Sequence, residues 1–143
     1  MKAVLGIFIS NGGVPKNLID SVKVNYEGLV GDNQHDKKHH GGVMRAVCVL
    51  EDEILKKLQQ EGHPISPGST GENLLVSGYD LSIGSIFSVG DVKLEVVSAA
   101  TPCKTIRDSF TNGDFKRLSH QKNPGDTRWY CKVLKTGDIR ISA

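Results

Sequence analysis

The chain has 143 residues, of which 38% are apolar and 24% are charged, as in an ordinary globular protein. This composition excludes a disordered tail, a collagen-like repeat and a coiled coil, and the length predicts one domain over residues 1–143. With 18 Lys and Arg against 16 Asp and Glu the net charge is only +2, which argues against a nucleic-acid partner.

The N-terminus and the cysteine count bear on cellular location. Residues 1–7 carry one lysine and a short apolar run, without the long apolar region and cleavage site of a signal peptide. No stretch reaches the roughly 18 apolar residues of a membrane-spanning helix, so we expect no membrane partner. Three cysteines are too few, and odd in number, for a disulfide framework. These features predict a cytoplasmic protein.

Short apolar runs separated by glycine-rich turns dominate the chain. They predict strands at residues 3–9, 21–24, 44–50, 74–76, 85–89, 92–97, 130–134 and 139–141. Short, evenly spaced strands with such turns are typical of a sandwich or a barrel.

Two segments have helical patterns. Over residues 51–61, Leu55 and Leu58 lie on one apolar face, and acidic residues occupy the first turn, where the helix dipole favours negative charge. A second helical region is predicted over residues 104–118, with an interruption at residues 112–113. The chain therefore combines many strands with one or two short helices.

The most polar segment, residues 31–42, holds three of the five histidines. Histidine and aspartate suit several transition metals, so a metal site is one interpretation. However, His39 and His40 are adjacent and no Cys-x-x-Cys pattern accompanies them, which disfavours a built-in zinc site. The alternative is a polar loop ending at Gly41 and Gly42, whose backbone amides can cup an anion.

A second distinctive loop, PGSTGENL, spans residues 67–74. It lacks the Gly-Lys-Ser/Thr of a phosphate-binding loop and the Gly-x-Ser-x-Gly of a nucleophile elbow. The pattern predicts a tight turn into the strand that begins at residue 74. In this interpretation Glu72 or Asn73 hydrogen-bonds the turn backbone.

Cys103 is the candidate for nucleophilic chemistry. It follows a predicted strand and a proline that breaks the strand ladder. Lys104 comes next and Arg107 lies one helical turn further on, and positive charge at a helix start stabilises a thiolate. By contrast, Cys48 lies within an apolar run and is predicted to be a small buried hydrophobe, whereas the role of Cys131 stays open.

Basic residues near these loops are candidates for binding an anion. They are Lys16, Arg45, Lys104, Arg107 and Arg128. Arginine has a planar fork that suits phosphate or carboxylate, so Arg45 and Arg128 are the candidate anchors. The alternative, a solvated surface charge, is expected for at least half of the set.

Several short motifs follow one another along nearly the whole chain. They are GGVPK (12–16), GLVGD (28–32), HGG (40–42), RAV (45–47), PG (67–68), GENL (71–74), IG (83–84), VGD (89–91), PC (102–103) and Arg128. In this order the chain resembles a MOSC domain, the family named for the C-terminal part of molybdenum cofactor sulfurases. Each motif is weak alone, and together they are specific.

The resemblance implies a mainly β fold around a partly open MOSC-type β-barrel. It implies sulfur handling or binding of the molybdenum–molybdopterin cofactor, with Cys103 as the reactive centre. The Cys103 thiolate would accept sulfur from a persulfide or ligate molybdenum through the cofactor. The implied partners are a sulfur donor or an acceptor molybdoenzyme, and molybdopterin. No pyridoxal phosphate is expected, because that cofactor belongs to a different domain of the sulfurases.

The resemblance also implies a set of cofactor-binding residues. They are Lys16, Asp32, His40, Gly41, Gly42, Arg45, Gly71, Glu72, Asn73 and Arg128. The positive side chains would hold the pterin phosphate, and the glycine loops would present backbone amides to its polar edges. Asp32, Glu72 and Asn73 would either orient the loops or hydrogen-bond the pterin ring, and both roles stay open.

Two alternatives stand beside sulfur transfer and cofactor binding. One is a molybdenum-dependent reductase of N-oxygenated small molecules, and the other is a non-enzymatic cofactor-binding or chaperone module. The sequence lacks the β-barrel domain that precedes the MOSC domain in longer, enzymatically active relatives, which disfavours a self-contained redox enzyme. It also ends soon after its last predicted strand, which predicts a closing edge that is short or covered by a partner subunit. Whether the chain is an enzyme stays open.

Overall fold

The fold is mainly β, and its strands lie in two sheets. It comes from a computed structural model that describes residues 1–10, 13–32 and 42–142. The strands are β1 (Ala3–Ile9), β2 (Asn17–Ile19), β3 (Ser21–Asn25), β4 (Gly28–Leu29), β5 (Val47–Glu51), β6 (Leu74–Ser77), β7 (Ile86–Val89), β8 (Val92–Ala100), β9 (Arg128–Lys135) and β10 (Gly137–Arg140).

Seven strands form one mixed sheet in the order β2-β1-β6-β5-β9-β8-β7, and β10, β3 and β4 form a second sheet. Among the strands of the described residues, β5 and β6 run parallel and are joined by a helix, as a parallel pair requires a crossover, and the other paired strands run antiparallel. Within the described ranges neither sheet closes on itself. The predicted fold class, mainly β with an incomplete barrel, is confirmed.

The main hydrophobic core lies between the two sheets. Val22 and Val24 of β3 and Ile139 of β10 join the same buried cluster as Ile7 of β1 and Trp129 of β9. Residues of β3 alternate between exposed and buried, so one face of the small sheet meets the core and the other meets solvent. The alternation predicted for residues 21–24 is the reason that this strand packs on one side only.

Helices cover the other face of the large sheet. The helix α1 (Asp52–Gln60) follows β5 directly and buries Leu55 and Leu58 against that face. Three 3-10 helices complete the cover: Lys104–Ser109, Thr111–Gly113 and Phe115–Leu118. Their side chains Ile106 and Leu118 join the cluster under α1. No helix in the described ranges is long and apolar enough to cross a membrane.

The structure differs from the predicted elements in three places. The second helical region consists of short 3-10 helices and not of α-helix. The predicted interruption at residues 112–113 is confirmed, since Asn112 and Gly113 have positive φ values of 57° and 68°, which an α-helix cannot contain. The apolar run 44–50 divides into a 3-10 turn, Val43–Arg45, and the strand β5. The short strands β2 and β4 were not predicted, since neither contains an apolar run long enough to show a period.

Candidate functional site

Cys103 lies just beyond the end of β8, on the helix-covered side of the large sheet. Ala100, the last residue of β8, pairs with Arg128 at the start of β9. Between Ala100 and the 3-10 helix Lys104–Ser109 the chain runs through a buried Pro102 to Cys103. Cys103 has extended backbone angles, φ −130° and ψ 171°, and its side chain is partly exposed. The segment thus turns a thiol outward at the edge of the core.

The other two thiols are buried. Cys48 is 5% exposed and Cys131 is 0% exposed. Burial raises the pKa of Cys48 to about 11, and burial likewise raises the pKa of Cys131. The prediction that Cys48 is a small buried hydrophobe is confirmed. Of the three cysteines, which all lie in the described ranges, Cys103 is the one that an external reagent can reach.

Tyr130 links Cys103 to the candidate arginines. It pairs with Cys48 across the strands β5 and β9, and both side chains cluster with Ala100. Burial raises the pKa of Tyr130 to about 12, to which the neighbouring Cys48 and Cys103 add, while Arg128 and Arg45 oppose them. The hydroxyl therefore stays protonated at neutral pH, within electrostatic range of both arginines and of Cys103.

Arg45 lies over the face of this tyrosine. Its guanidinium carbon is 5.6 Å from the centre of the Tyr130 ring, a distance typical of a cation–π contact. The 3-10 turn Val43–Arg45 that carries it begins after Gly42, whose φ of 92° suits glycine. A Cβ at Gly42 would meet no atom of the described residues within 4 Å. Sequence patterns did not single out Tyr130, because nothing in an alternating strand shows which aromatic side chain faces a site.

Arg128 joins the glycine loop to the strand that leads to Cys103. Its guanidinium donates hydrogen bonds to the carbonyl oxygen of Thr70 and, at 3.4 Å, to that of Ala100. The residue is 6% exposed, and its buried Nε has no hydrogen-bond partner in the described part of the chain. The two terminal nitrogens of this arginine, which was predicted to bind an anion, therefore bond backbone carbonyl oxygens, and the Nε–H is left unsatisfied among the described residues.

Glu72 organises the glycine loop from within. The side chain is 0% exposed, and its oxygens accept hydrogen bonds from the Gly68 amide at 2.7 Å and the Thr70 hydroxyl at 2.7 Å. Gly68 has a positive φ of 82°, and a Cβ there would lie 2.8 Å from the carbonyl oxygen of Lys16. The loop is thus closed by an internal carboxylate, one of the two roles that the sequence left open.

A buried ion pair lies on the other side of the loop. The ammonium of Lys16 contacts both carboxylate oxygens of Asp32 at 2.7 Å, and the two side chains are 6% and 5% exposed. Asp32 also accepts a hydrogen bond from the Asn73 amide at 2.8 Å, and the Asn73 side-chain oxygen accepts one from the Cys48 backbone at 2.9 Å. These polar groups satisfy one another within the protein.

The remaining predicted site residues are placed as follows. Gly71 lies in the loop with φ 84°, next to Glu72. His40 and Gly41 lie outside the described residues, so their predicted role stays a prediction. No group of three His, Cys, Asp or Glu side chains that could hold a metal ion occurs within residues 1–10, 13–32 and 42–142.

Comparisons with known proteins place the chain in a family. A model of the MOSC domain matches residues 36–142. The chain is 28% identical over 139 residues to the uncharacterized protein YflK of Bacillus subtilis and 29% identical over 123 residues to the protein YiiM of Escherichia coli. These matches cover 94% and 81% of this chain but only 62% and 54% of the two relatives, which are longer proteins.

Solved structures share the fold at low identity. YiiM from Geobacillus stearothermophilus superposes with a TM-score of 0.73 and 21% identity, covering 98% of this chain and 71% of that one. The YUAD protein from Bacillus subtilis superposes with a TM-score of 0.72 and 20% identity, covering 99% of this chain and 92% of that one. Since the family model matches well over half of its residues, this chain belongs to the MOSC domain family.

Proposed function

We propose that the chain carries sulfur and binds molybdopterin in the maturation of the molybdenum cofactor, acting through Cys103. The observation that carries the proposal is that Cys103 is the accessible thiol of the three, and that Tyr130 lies within electrostatic range of Cys103 and of two arginines. A reactive thiol needs access to reagents and nearby positive charge, and buried cysteines lack the first. Membership of the MOSC family supports the same assignment.

The sulfur step is a thiol–persulfide exchange. The Cys103 thiolate attacks the outer sulfur of a donor persulfide, and a new S–S bond forms at Cys103 while the S–S bond of the donor breaks. The electron pair of the broken bond leaves with the donor sulfur, which departs as a thiolate. No external oxidant or reductant is needed, since sulfane sulfur simply changes carrier. A second exchange passes it to the acceptor.

The residues around Cys103 fit the cofactor. When bound, the molybdenum–molybdopterin cofactor supplies a soft metal that accepts a thiolate ligand and a phosphate that needs positive partners. Cys103 would be the soft ligand. The Nε of Arg128, which has no hydrogen-bond partner among the described residues, is a buried donor that an anion can satisfy, and the guanidinium of Arg45 lies over the Tyr130 ring. Lys16, bound to both oxygens of Asp32, supports the loop in this proposal.

The test is sulfur uptake by the whole protein. After incubation with glutathione persulfide, we expect the intact mass of the wild type to rise by one sulfur atom and to return after treatment with a thiol reductant. Cys103→Ser should gain none, because it lacks the attacking thiolate. Cys48→Ala, the matched control at a buried thiol, should gain sulfur as the wild type does.

A parallel measurement separates carriage of sulfur from binding of the cofactor. The wild type and Cys103→Ser are purified from a host that makes the cofactor, and their molybdenum content and pterin fluorescence are compared. If the wild type contains the cofactor and Cys103→Ser contains less of it, the result supports binding of the cofactor through Cys103. Sulfur uptake with no cofactor supports the carrier arm alone. If neither is seen, the proposal is wrong, and a non-enzymatic partner-binding module replaces it.

A further inference from the structure

Tyr130 lies where three strands meet beside the cysteine segment. On β9 it pairs with Cys48 of β5 on one side and with Ser98 of β8 on the other. The residue is 8% exposed, and its side chain clusters with those of Cys48 and Ala100. An aromatic side chain packed in this way on an inner strand has little freedom to move. The ring is therefore a fixed surface at the edge of the site, and sulfur exchange does not use it.

Both candidate arginines lie close to this ring. The guanidinium carbon of Arg45 is 5.6 Å from the ring centre. The guanidinium of Arg128 donates to the carbonyl oxygen of Ala100, whose side chain packs in the same cluster as the ring. Each arginine also opposes the rise in the pKa of Tyr130, as a positive charge near a phenol does. Two like charges are thus gathered around one neutral side chain.

The two arginines differ in how they are fixed. Arg128 is buried and bonds two backbone carbonyl oxygens. Arg45 is half-buried and is carried by a 3-10 turn of three residues. Arginine loses much side-chain entropy when it is ordered, and repulsion between like charges opposes placing it near Arg128. Attraction between the guanidinium and a fixed ring offsets both costs before an anion binds.

We propose that Tyr130 is a positioning residue whose ring holds the guanidinium of Arg45 near that of Arg128, so that both bind one phosphate group. A guanidinium has five N–H donors, so an arginine that lies over a ring still presents donors to an anion. The Nε of Arg128, which has no hydrogen-bond partner among the described residues, is a second donor for the same anion. The inference rests on the proposed function, since it states how the chain binds the phosphate of the cofactor.

The experiment measures the binding of inorganic phosphate to the full chain, followed by nuclear magnetic resonance as phosphate is added. Tyr130→Leu removes the ring, and we expect it to bind phosphate about three- to tenfold more weakly than the wild type, as the loss of one cation–π contact implies. Tyr130→Phe keeps the ring and should bind phosphate as the wild type does. Wild-type affinity in Tyr130→Leu would overturn the proposal, as would a loss in Tyr130→Phe as large as that in Tyr130→Leu.

A double-variant cycle with Arg45→Gln separates positioning from a general effect on the fold. If Tyr130 acts through Arg45, Tyr130→Leu has no further effect on phosphate binding once Arg45→Gln has removed the guanidinium. A merely structural role of Tyr130 would weaken binding by the same factor in both backgrounds, and that result contradicts the proposal. Thermal unfolding of each variant confirms that it is folded at the temperature of the titration.

Tyr79 offers a matched control, because a cation also lies over its ring. The ammonium of Lys2 is 5.4 Å from the centre of the Tyr79 ring, which packs edge-on against Phe87 of β7. Tyr79→Leu should therefore leave phosphate binding at the wild-type level. Binding that is weakened as much as in Tyr130→Leu would mean that the loss of either tyrosine disturbs the protein, and the positioning role would be refuted.

The contact between the ring and Arg45 can also be measured in the unaltered protein. Protons held over an aromatic ring resonate upfield, so side-chain protons of Arg45 should be shifted upfield in the wild type and in Tyr130→Phe. Ordinary resonance positions in the wild type would overturn the proposal, and so would a wild type that binds no phosphate. Failure of the proposed function gives a different result: the chain takes no sulfur from glutathione persulfide and contains no cofactor, while phosphate binding still depends on Tyr130 through Arg45.

Discussion

The glycine loop and the cysteine segment meet at Arg128, but their polar groups are used in opposite ways. Glu72 within the loop and the pair Lys16–Asp32 beside it are buried and bonded to other protein groups. In the cysteine segment, Cys103 is partly exposed, and its sulfur contacts the hydroxyl of a residue two positions away, Thr105. The loop therefore has a structural role, whereas the cysteine segment presents an accessible nucleophile.

This difference shows why charged motifs next to a nucleophile need not touch a substrate. A buried carboxylate or ammonium is costly unless it is bonded, so the fold satisfies it internally before any ligand arrives. A nucleophile must stay accessible, and therefore keeps few contacts. We expect substitutions in the loop to change the stability of the fold and substitutions in the cysteine segment to change reactivity.

Asp32→Asn should have the largest effect. It removes the negative partner of a buried ammonium, and breaking a buried pair in this way costs about 3–5 kcal/mol of the free energy of unfolding. Urea unfolding followed by circular dichroism measures the loss. The double variant Lys16→Met with Asp32→Asn removes both charges and should recover most of it. A loss near zero in the single variant would mean that the pair is solvated.

The second-largest effect should be a difference between Cys103 and Cys48 in their rates of alkylation. Because burial raises the pKa of Cys48 to about 11, its thiolate fraction at neutral pH is lowered about a hundredfold from that of an ordinary cysteine. With burial as a further barrier, we expect iodoacetamide to modify Cys103 at least about a hundred times faster than Cys48, as followed by peptide mass spectrometry. In urea the difference should disappear. Earlier modification of Cys48 in the folded protein would place the reactive site elsewhere.

Arg117→Gln should have the smallest effect. Arg117 bonds the carboxylate of Glu61 at 2.8 and 2.7 Å, which lowers the pKa of Glu61 and joins the end of α1 to the 3-10 helices beyond Cys103. A lowered carboxyl pKa stabilises the folded state above the unfolded pKa, and this stability is lost as the pH falls through the folded pKa.

Arg117 also contacts Asp126 at 3.0 Å, but that carboxylate keeps its ion pair with Lys57 at 2.9 Å. Since Glu61 is exposed and screened, the expected loss at neutral pH is only about 0.5–1 kcal/mol. The difference from the wild type should shrink in acid, as followed by thermal unfolding at several pH values. Alkylation of Cys103 should stay unchanged. A slower alkylation would show that this ion pair also positions the cysteine segment, so that residues with a structural role would also affect the reactivity of Cys103.

Much of the fold could be predicted from hydrophobic periodicity. The strand β1 and the helix α1 were predicted nearly to the residue, because each contains a complete apolar pattern. The edges β2 and β4 were missed, since strands this short carry no pattern. At the site, Cys103, Arg45 and Arg128 could be named from residue type and motif order, and their gathering around Tyr130 is a result of strand pairing.

The sequence alone determined the family, the mainly β fold and the candidate nucleophile, because these follow from local patterns of apolar residues, glycines and motif order. Only the tertiary structure decided which polar side chains are hydrogen-bonded within the protein and which are accessible from solvent. Glu72 and Lys16 turn inward, while Thr105 meets the sulfur of Cys103. The physical reason is that burial and hydrogen bonding depend on contacts between segments distant in sequence, and no local pattern encodes those contacts.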